Sequence, residues 1–233
     1  MNNQWITISE ENGQTFNGYL ALPPAGRGPG LILIQEIWGV NEHIQAVAEQ
    51  YAMAGFVVLA PDVYWRFGPK IALNYDTEGN AAAFDYLNRI DRDLAVQDVV
   101  TATTALKALP QVSGKVGVMG YCMGGQLAFR TAAATTVDAA VCYYGGGIAN
   151  YLHEANHIHA PIAFHHGLQD HLIPQDARQA IEHHFAGRKN AVIYEYDADH
   201  GFNCWGRTAV YNQPAATIAQ GRTLEFLGQF LSD

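Results

Sequence analysis

Short apolar runs recur along the chain and alternate with segments that have helical spacing. The runs hold four to six residues each, at 31–34, 56–60, 116–119, 139–144, 161–166 and 191–196. Such continuous apolar runs are typical of strands that are covered on both faces. Between them, apolar residues share one helical face in two sets: Ile44, Val47, Ala48 and Tyr51, and Leu94, Ala95, Val99, Ala102 and Leu106. The alternation predicts an α/β fold, with a mostly parallel sheet flanked by helices in a three-layer sandwich.

The first 22 residues have a different pattern, because the apolar segments "WITIS" and "GYLAL" flank the dipeptide Asn12-Gly13. An Asn-Gly pair suits the tight turn of a hairpin, so we expect an extra pair of strands here. The stretch "PPAGRGPG" at 23–30 predicts a surface loop. No internal repeat or long linker divides the sequence, which therefore predicts a single domain over residues 1–233.

Charge and cysteine content narrow the classes of partner and location. The chain has 22 acidic and 13 basic residues, whereas binding to nucleic acid or to an anionic membrane requires a basic patch. We therefore expect neither partner. The N-terminal segment lacks the basic start and apolar run of a secretory signal, so the sequence predicts a cytoplasmic protein. Its three cysteines, at 122, 142 and 204, form no CxxC pair and predict neither a disulfide framework nor a cysteine zinc site.

One glycine-rich turn has the pattern of a nucleophile. The stretch "VGVMGYCMGG" places Cys122 between an apolar run and a helix-favouring run, with Gly120 and Gly124 two residues to either side. In such a nucleophile elbow, the glycines permit a tight bend around the strained central residue. A helix beginning at Met123 would aim its free N–H groups at the sulfur, which favours a thiolate and later an oxyanion. The alternative is a turn that holds an inert, buried cysteine.

Enzymes with this elbow carry an acid and then a histidine further along the chain. "PIAFHHGLQDHLIP" places Asp170 in the loop after one apolar run, and "AVIYEYDADHGF" places His200 just after another. Asp197 and Asp199 compete for the role of the acid. Asp199 adjoins His200 in sequence and is poorly placed to accept from its ring, so Asp170 is the better candidate.

A second acid follows the first apolar run. In "LILIQEIWGVNEHI", Glu36 should emerge at the carboxyl edge of the sheet, where open α/β sheets bind ligands. The backbone N–H of Ile37 can pair with that of Met123 as a two-donor oxyanion hole. Asn41 is the expected N-cap of the next helix. An ordinary role for Glu36 as a loop acid is the alternative.

The stretches "QEIWGVN", "GYCMGG", "GLQDHLIP" and "DADHGF", together with "LAPDVYWR" and "YYGGGI", resemble the dienelactone hydrolase family. Its members, also called carboxymethylenebutenolidases, are cysteine enzymes of the α/β-hydrolase fold. The resemblance implies a triad of Cys122, Asp170 and His200, with Glu36 beside the thiol as the switch that takes its proton. It implies hydrolysis of a small-molecule lactone or activated ester through an acyl thioester. No cofactor or metal is expected, and the chain is expected to be a monomer or a small homo-oligomer.

The resemblance is incomplete at the residues that would bind substrate. Family members that act on dienelactone carry arginines that reach the substrate carboxylate, yet residues 71–88 contain no arginine. Arg66 and Arg207 are the remaining candidates, although either could equally be a surface residue. The sequence therefore predicts ester or lactone hydrolysis without predicting dienelactone as the substrate.

Several aromatic residues are candidates for an apolar pocket. We expect Trp38, Tyr143 and Trp205 to form its walls, whereas Phe84 is more simply explained as a core aromatic. The segment at 65–80 is expected to form the cap or rim.

Two other functions remain open. Six histidines within 19 residues, at 153, 157, 159, 165, 166 and 171, could indicate a metal-dependent hydrolase. Against this, "HHGLQDH" does not match the HExxH motif, and alternation along a strand would point His165 and His166 to opposite faces. The second alternative is a non-catalytic small-molecule binding protein on the same fold.

Overall fold

A computed structural model describes residues 3–232. Its strands are β1 (Asn3–Glu11), β2 (Gln14–Ala21), β3 (Gly28–Ile34), β4 (Val57–Pro61), β5 (Val112–Tyr121), β6 (Ala139–Tyr143), β7 (Ile162–Gly167) and β8 (Ala191–Tyr196). Its α-helices are α1 (Glu42–Met53), α2 (Thr77–Arg89), α3 (Arg92–Lys107), α4 (Met123–Ala134), α5 (Gln175–Phe185) and α6 (Gln213–Leu231), and a 3-10 segment covers Ile148–His157. All six predicted apolar runs lie in or overlap strands.

The strands form one sheet in the order β1-β2-β4-β3-β5-β6-β7-β8. β1 and β2 make the predicted antiparallel hairpin, whose turn places Asn12 and Gly13 at φ values of 52° and 78°. β2 then pairs antiparallel with β4, and the remaining neighbours are parallel. The predicted mostly parallel sheet is confirmed.

Helices cover both faces of this sheet. Residues of α1 and α6, such as Ile44, Val47 and Leu227, pack on one face, and residues of α3 and α4, such as Val99 and Phe129, pack on the other. The three-layer architecture is that of the α/β-hydrolase fold, as predicted. Within residues 3–232, no helix combines the length and apolar character needed to cross a bilayer.

The helical face predicted in α3 is correct except at one position. Ala95, Val99, Ala102 and Leu106 are buried, whereas Leu94 is 46% exposed. Leu94 lies in the first turn of α3, after the N-cap Asp91, where the helix leaves the sheet surface. The N-cap predicted for α1 is confirmed, because the Asn41 side chain accepts a hydrogen bond from the N–H of Ile44 at 3.3 Å.

The position of the site follows from the order of the strands. β3 pairs with β4 on one side and with β5 on the other, so the chain direction across the sheet reverses between β3 and β5. Ile34 at the end of β3 is in register with Gly120 near the end of β5. The loops that carry Glu36 and Cys122 therefore leave the same edge of the sheet at its topological switch point, where α/β proteins form ligand sites.

Two glycines allow this close approach. A Cβ atom at Gly124 would collide with the carbonyl oxygens of Ile34 and Gln35, and one at Gly120 would collide with the carbonyl of Gly124. The first turn of α4 consequently packs directly on the backbone at the end of β3. This contact fixes the position of Cys122 relative to the loop that contains Glu36 and Ile37.

Candidate active site

Cys122 occupies a strained elbow between β5 and α4. Its φ is 55° and its ψ is −117°, a conformation that costs energy for any residue with a side chain. Its N–H donates to the carbonyl of Tyr143 at 3.0 Å, and its own carbonyl accepts from the N–H of Gly125 at 3.0 Å. Cys122 is half-buried, whereas Cys142 and Cys204 are buried. The elbow therefore presents the sulfur at the N-terminus of α4 rather than sealing it in the core.

Asp170 and His200 meet although they lie 30 residues apart. Oδ2 of Asp170 is 2.7 Å from Nδ1 of His200, and Oδ1 accepts from the backbone N–H groups of Leu172 and Ile173 at 2.8 and 3.2 Å. Asp170 is 2% exposed, and these hydrogen bonds fix its carboxylate to the loop after β7. It can orient the imidazole with Nε2 directed away from Asp170.

The competing acids have other partners. Asp199 accepts from the backbone N–H of His200 at 2.6 Å, so it engages the main chain of its neighbour. Asp197 accepts from the side chain of Gln169 at 2.7 Å. In the described structure, Asp170 is the carboxylate that contacts the ring.

The free face of His200 is suited to the charge of a thiolate. Its Nε2 is buried and has no hydrogen-bond partner within residues 3–232. Burial opposes a charge on this ring, but the Cys122 thiolate and Asp170 outweigh burial and raise the pKa of His200 to about 10. The Tyr144 ring packs edge-on against the imidazole with centroids 5.1 Å apart. This environment favours the imidazolium form of His200.

The expected oxyanion donors lie on either side of the elbow. Met123 is the first residue of α4, and Ile37 follows Glu36 in the loop after β3. In the described chain, the N–H of Ile37 and the N–H of Met123 donate no backbone hydrogen bond outside the helices and strands. Both remain free to bind a developing negative charge.

The Glu36 carboxylate lies in a buried cluster that the sequence did not predict. A carboxylate oxygen of Glu36, a ring nitrogen of His43 and the Sγ of Cys204 lie within 4.8 Å of one another, and all three residues are buried. In the part of the chain that the structure describes, neither oxygen of Glu36 has a hydrogen-bond partner. The carboxylate therefore makes no hydrogen bond to Cys122 in this conformation, and a role as its proton acceptor requires the side chain to move.

Arg207 and Trp38 stand together beside the histidine loop. The Arg207 guanidinium lies 4.8 Å from the centre of the Trp38 ring, and a side chain at Gly201 would collide with it. The Trp38 indole also donates to Oδ1 of Asn80 at 2.9 Å. Together with Phe84 they border a surface groove of ≈ 350 Å³.

The rim predicted at 65–80 packs on the loop after β3. Gly39 forms a bridge with Ala72, and the N–H of Leu73 donates to the carbonyl of Trp38 at 2.9 Å. Phe84 is 56% exposed, so its interpretation as a core aromatic is wrong. It lies on α2, which buries only Gly79 and Ala83 fully and leaves the phenyl ring at the groove.

Tyr143, predicted as a wall of the pocket, lies elsewhere. Tyr143 is fully buried, its hydroxyl is 2.6 Å from Oγ1 of Thr223, and its ring stacks on His165. It is a core residue, and its neighbour Tyr144 contacts His200 instead. Backbone alternation ends at this point, because Tyr144 has a φ of 32°.

Arg66 pairs with two carboxylates far from the elbow in sequence. Its guanidinium bonds to Asp98 of α3, reaches Glu11 of β1 at 3.5 Å and stacks on Trp65. These partners leave little freedom for a substrate carboxylate. Trp205 is 45% exposed and packs edge-on against His43, at the rim rather than beside the elbow.

Arg92 is a candidate that the sequence search missed. It starts α3 and donates to the side chain of Gln126 on α4 at 2.9 Å. The charges of Arg92 and Cys122 both act on Tyr64, whose hydroxyl contacts the sulfur of Met123. Arg92 is thus a cation near the elbow, four residues beyond the segment 71–88.

The histidine-rich segment does not converge on a site. His165 binds the hydroxyls of Tyr196 and Thr223 at 2.8 and 3.1 Å, while the next residue, His166, stacks with Phe164 on the other face of the sheet. The predicted alternation is confirmed. Among residues 3–232, these histidines form no group of three potential metal ligands.

Comparison with known proteins agrees with the geometry. The profile of the "Dienelactone hydrolase family" matches residues 16–231. Carboxymethylenebutenolidase 1 of Cupriavidus pinatubonensis is 34% identical over 95% of both chains, and a carboxymethylenebutenolidase of Pseudomonas sp. strain P51 is 35% identical over 95% of this chain and 93% of its own. The crystal structure of a candidate dienelactone hydrolase from Klebsiella pneumoniae superposes with a TM-score of 0.84 at 25% identity, covering 98% of both chains. The chain therefore belongs to the dienelactone hydrolase family and is a hydrolase built on the α/β-hydrolase fold.

Proposed function

We propose that this enzyme hydrolyses a lactone or an activated enol or aryl ester through an acyl thioester on Cys122. The observation that carries the proposal is the arrangement of His200. Its Nδ1 is held by Asp170 at 2.7 Å, its Nε2 is unpartnered, and the Cys122 thiolate raises its pKa. A thiolate–imidazolium pair at a helix N-terminus is a strong nucleophile next to a proton donor.

The first half of the reaction forms the thioester. The Sγ of Cys122 attacks the carbonyl carbon, and the negative charge that develops on the carbonyl oxygen is received by the N–H groups of Ile37 and Met123. The tetrahedral intermediate collapses and the C–O bond to the leaving group breaks. The departing enolate or phenolate takes the proton from Nε2 of the His200 imidazolium.

The second half restores the enzyme. Neutral His200 accepts a proton from a water molecule as that water attacks the thioester carbonyl. The same two N–H groups bind the oxyanion, the C–S bond breaks, and the thiolate returns to its place beside the imidazolium. Stabilised leaving groups suit this sequence, because a soft thiolate expels them more easily than it expels a simple alkoxide.

Glu36 fits this scheme as a second proton acceptor, for the form of the enzyme in which Cys122 is a neutral thiol. The Glu36 side chain projects from the loop next to the elbow. Within residues 3–232, its buried carboxylate forms no ion pair. Rotation of the side chain from the His43 and Cys204 cluster toward Cys122 would let it take the proton.

The charges around the elbow favour an acyl or leaving group that carries a carboxylate. Arg207 borders the groove on the His200 side, and Arg92 lies on the α4 side, where it donates to Gln126. Guanidinium groups bind carboxylates with charge-assisted hydrogen bonds.

Replacing Arg92 or Arg207 with glutamine should therefore separate anionic from neutral esters. We expect kcat/KM for a carboxylate-bearing aryl ester to fall by about 10- to 100-fold, the value of a charged hydrogen bond, in at least one of the two variants. The matched neutral ester should change little. Arg27, exposed in the loop before β3, provides the control variant Arg27→Gln. Equal losses on both esters would contradict the proposed anion contact.

The acyl thioester itself can be trapped. Mixing the enzyme with a slowly hydrolysed aryl ester and quenching in acid should give an intact mass increased by the acyl group, located on the peptide that contains Cys122. Neutral hydroxylamine should remove it. A chelator should not lower the turnover, whereas loss of activity on chelation would favour the metal-dependent alternative. Substrate binding without any turnover or adduct would favour the non-catalytic one.

A further inference from the structure

The buried cluster of Glu36, His43 and Cys204 is chemically distinct from the catalytic triad. It combines a carboxylate, an imidazole and a thiol, and the three donor atoms lie within 4.8 Å of one another. The residues come from the loop after β3, the first turn of α1 and the loop after His200. The fold thus brings three kinds of metal ligand together from separate segments.

The polar atoms of this cluster are poorly satisfied by the protein. Within the described chain, both carboxylate oxygens of Glu36 and both ring nitrogens of His43 are buried without a hydrogen-bond partner. The thiol of Cys204 donates to the hydroxyl of Tyr75 at 3.3 Å. Buried polar groups are normally paired, so four unpaired atoms in one place indicate a missing partner.

A cation would satisfy these groups. We propose that Glu36, His43 and Cys204 form a zinc-binding site, with the cysteine bound as thiolate and the histidine neutral. Two anionic ligands and one neutral ligand balance the charge of Zn²⁺, so the bound site would be electrically neutral in the protein interior. Tyr75 or a water molecule is available for a fourth position.

The dimensions suit zinc after a small adjustment. Bond lengths of about 2.0 to 2.3 Å in a tetrahedral site place donor atoms roughly 3.3 to 3.8 Å apart. Donors already within 4.8 Å of one another can close to that range by side-chain rotation. One thiolate and one imidazole select zinc and similar transition-metal ions over magnesium or calcium, which prefer oxygen ligands.

The site lies next to a surface cavity. The cavity has a volume of ≈ 420 Å³ and is bordered by His43, Tyr75 and the half-exposed Trp205. Glu42, an exposed acid, lies at the same cavity and would attract a cation toward it.

Bound zinc would hold the Glu36 carboxylate away from Cys122. If Glu36 accepts the thiol proton as proposed above, an occupied site would oppose activation of the nucleophile. Metal binding itself does not depend on that mechanism and can be measured without turnover, so the two proposals fail separately.

Cobalt(II) titration of the metal-free, reduced enzyme tests the site directly. We expect a thiolate-to-cobalt charge-transfer band in the near ultraviolet and tetrahedral d–d absorption, both removed by Zn²⁺. Cys204→Ser should abolish the charge-transfer band. His43→Gln should weaken Zn²⁺ binding by more than the roughly 10- to 100-fold that a residue outside the coordination sphere costs.

The other two cysteines supply matched controls. Cys142→Ser removes a buried thiol in β6 and should retain the band, and Cys122→Ser should retain it too. The proposal would be overturned if the wild type gave no band or if the band survived in Cys204→Ser. It would also be overturned if the band were lost in Cys122→Ser, because that result would place the ion on the thiol of the elbow. Thermal midpoints of unfolding verify that each variant is folded. Should Cys204→Ser misfold, the Zn²⁺ affinity of His43→Gln tests the proposal instead.

Discussion

Replacing Cys122 with alanine is expected to lower kcat for ester hydrolysis by about 10⁴- to 10⁶-fold, as loss of the nucleophile does in other triad enzymes. Without the sulfur, no acyl-enzyme can form, and the oxyanion donors alone give weak catalysis. Cys122→Ser should also be severely impaired, by at least the roughly 10²- to 10⁴-fold that a well-tuned general base contributes. A hydroxyl does not ionise beside this histidine as a thiol does. Steady-state rates on an aryl ester measure both losses.

Cys142→Ala is the control for this comparison, because it removes a thiol buried in β6 that has no place in the proposed chemistry. Its kcat should stay close to that of the wild type once folding has been verified. Similar rates in the wild type, Cys122→Ala and Cys122→Ser would refute the assignment of the nucleophile.

The same alanine variant should change the titration of His200. In the wild type, the thiolate and Asp170 raise the pKa of the ring to about 10 against the effect of burial. Removing the sulfur removes one of the two raising causes and leaves burial, which lowers the pKa. The ring in Cys122→Ala should therefore lose its proton at a clearly lower pH than in the wild type, as followed by NMR of the ring protons. An unchanged midpoint would show that the thiol of Cys122 does not raise the pKa of His200.

Asp170→Asn is expected to reduce kcat by about 10²- to 10⁴-fold, toward the loss known for the neutral amide in place of a triad acid. Asp170 holds Nδ1 of His200 at 2.7 Å and is itself fixed by two backbone N–H groups. Asparagine keeps the shape but removes the charge and can present its NH₂ group to the ring, which favours the wrong tautomer. KM should change much less than kcat.

Asp197→Asn provides the matched control in the neighbouring loop. Asp197 bonds to Gln169 rather than to the histidine, so kcat should remain within a small factor of the wild type. A larger loss in Asp197→Asn than in Asp170→Asn would reassign the acid.

Local sequence patterns were sufficient to predict the elbow at Cys122 and the contact between the loops of Asp170 and His200. The Gly-x-Cys-x-Gly turn predicts the elbow because the tight bend and the small residues that it requires lie within five consecutive residues. The order of the motifs along the chain predicts which loops meet. Asp170 and His200 follow parallel strands that are sheet neighbours, so their contact is a consequence of topology.

Side-chain direction depended on residues that no local pattern includes. The Glu36 side chain lies beside Cys204, which is 168 positions later in the chain. The Arg66 side chain bonds to Asp98, which is 32 positions away. Tyr143 lies in the core and Tyr144 contacts His200 because the backbone leaves the strand conformation between them. Arg92 lies four residues beyond the segment 71–88, where the family resemblance leads us to expect an arginine.

The packing of Gly124 on the carbonyls of Ile34 and Gln35 has a consequence for how this family diversifies. Cys122 and the N–H of Ile37 are placed relative to each other by main-chain atoms, which do not depend on side chains once the glycines are kept. Residues around the groove can therefore be exchanged without moving the elbow relative to the loop after β3.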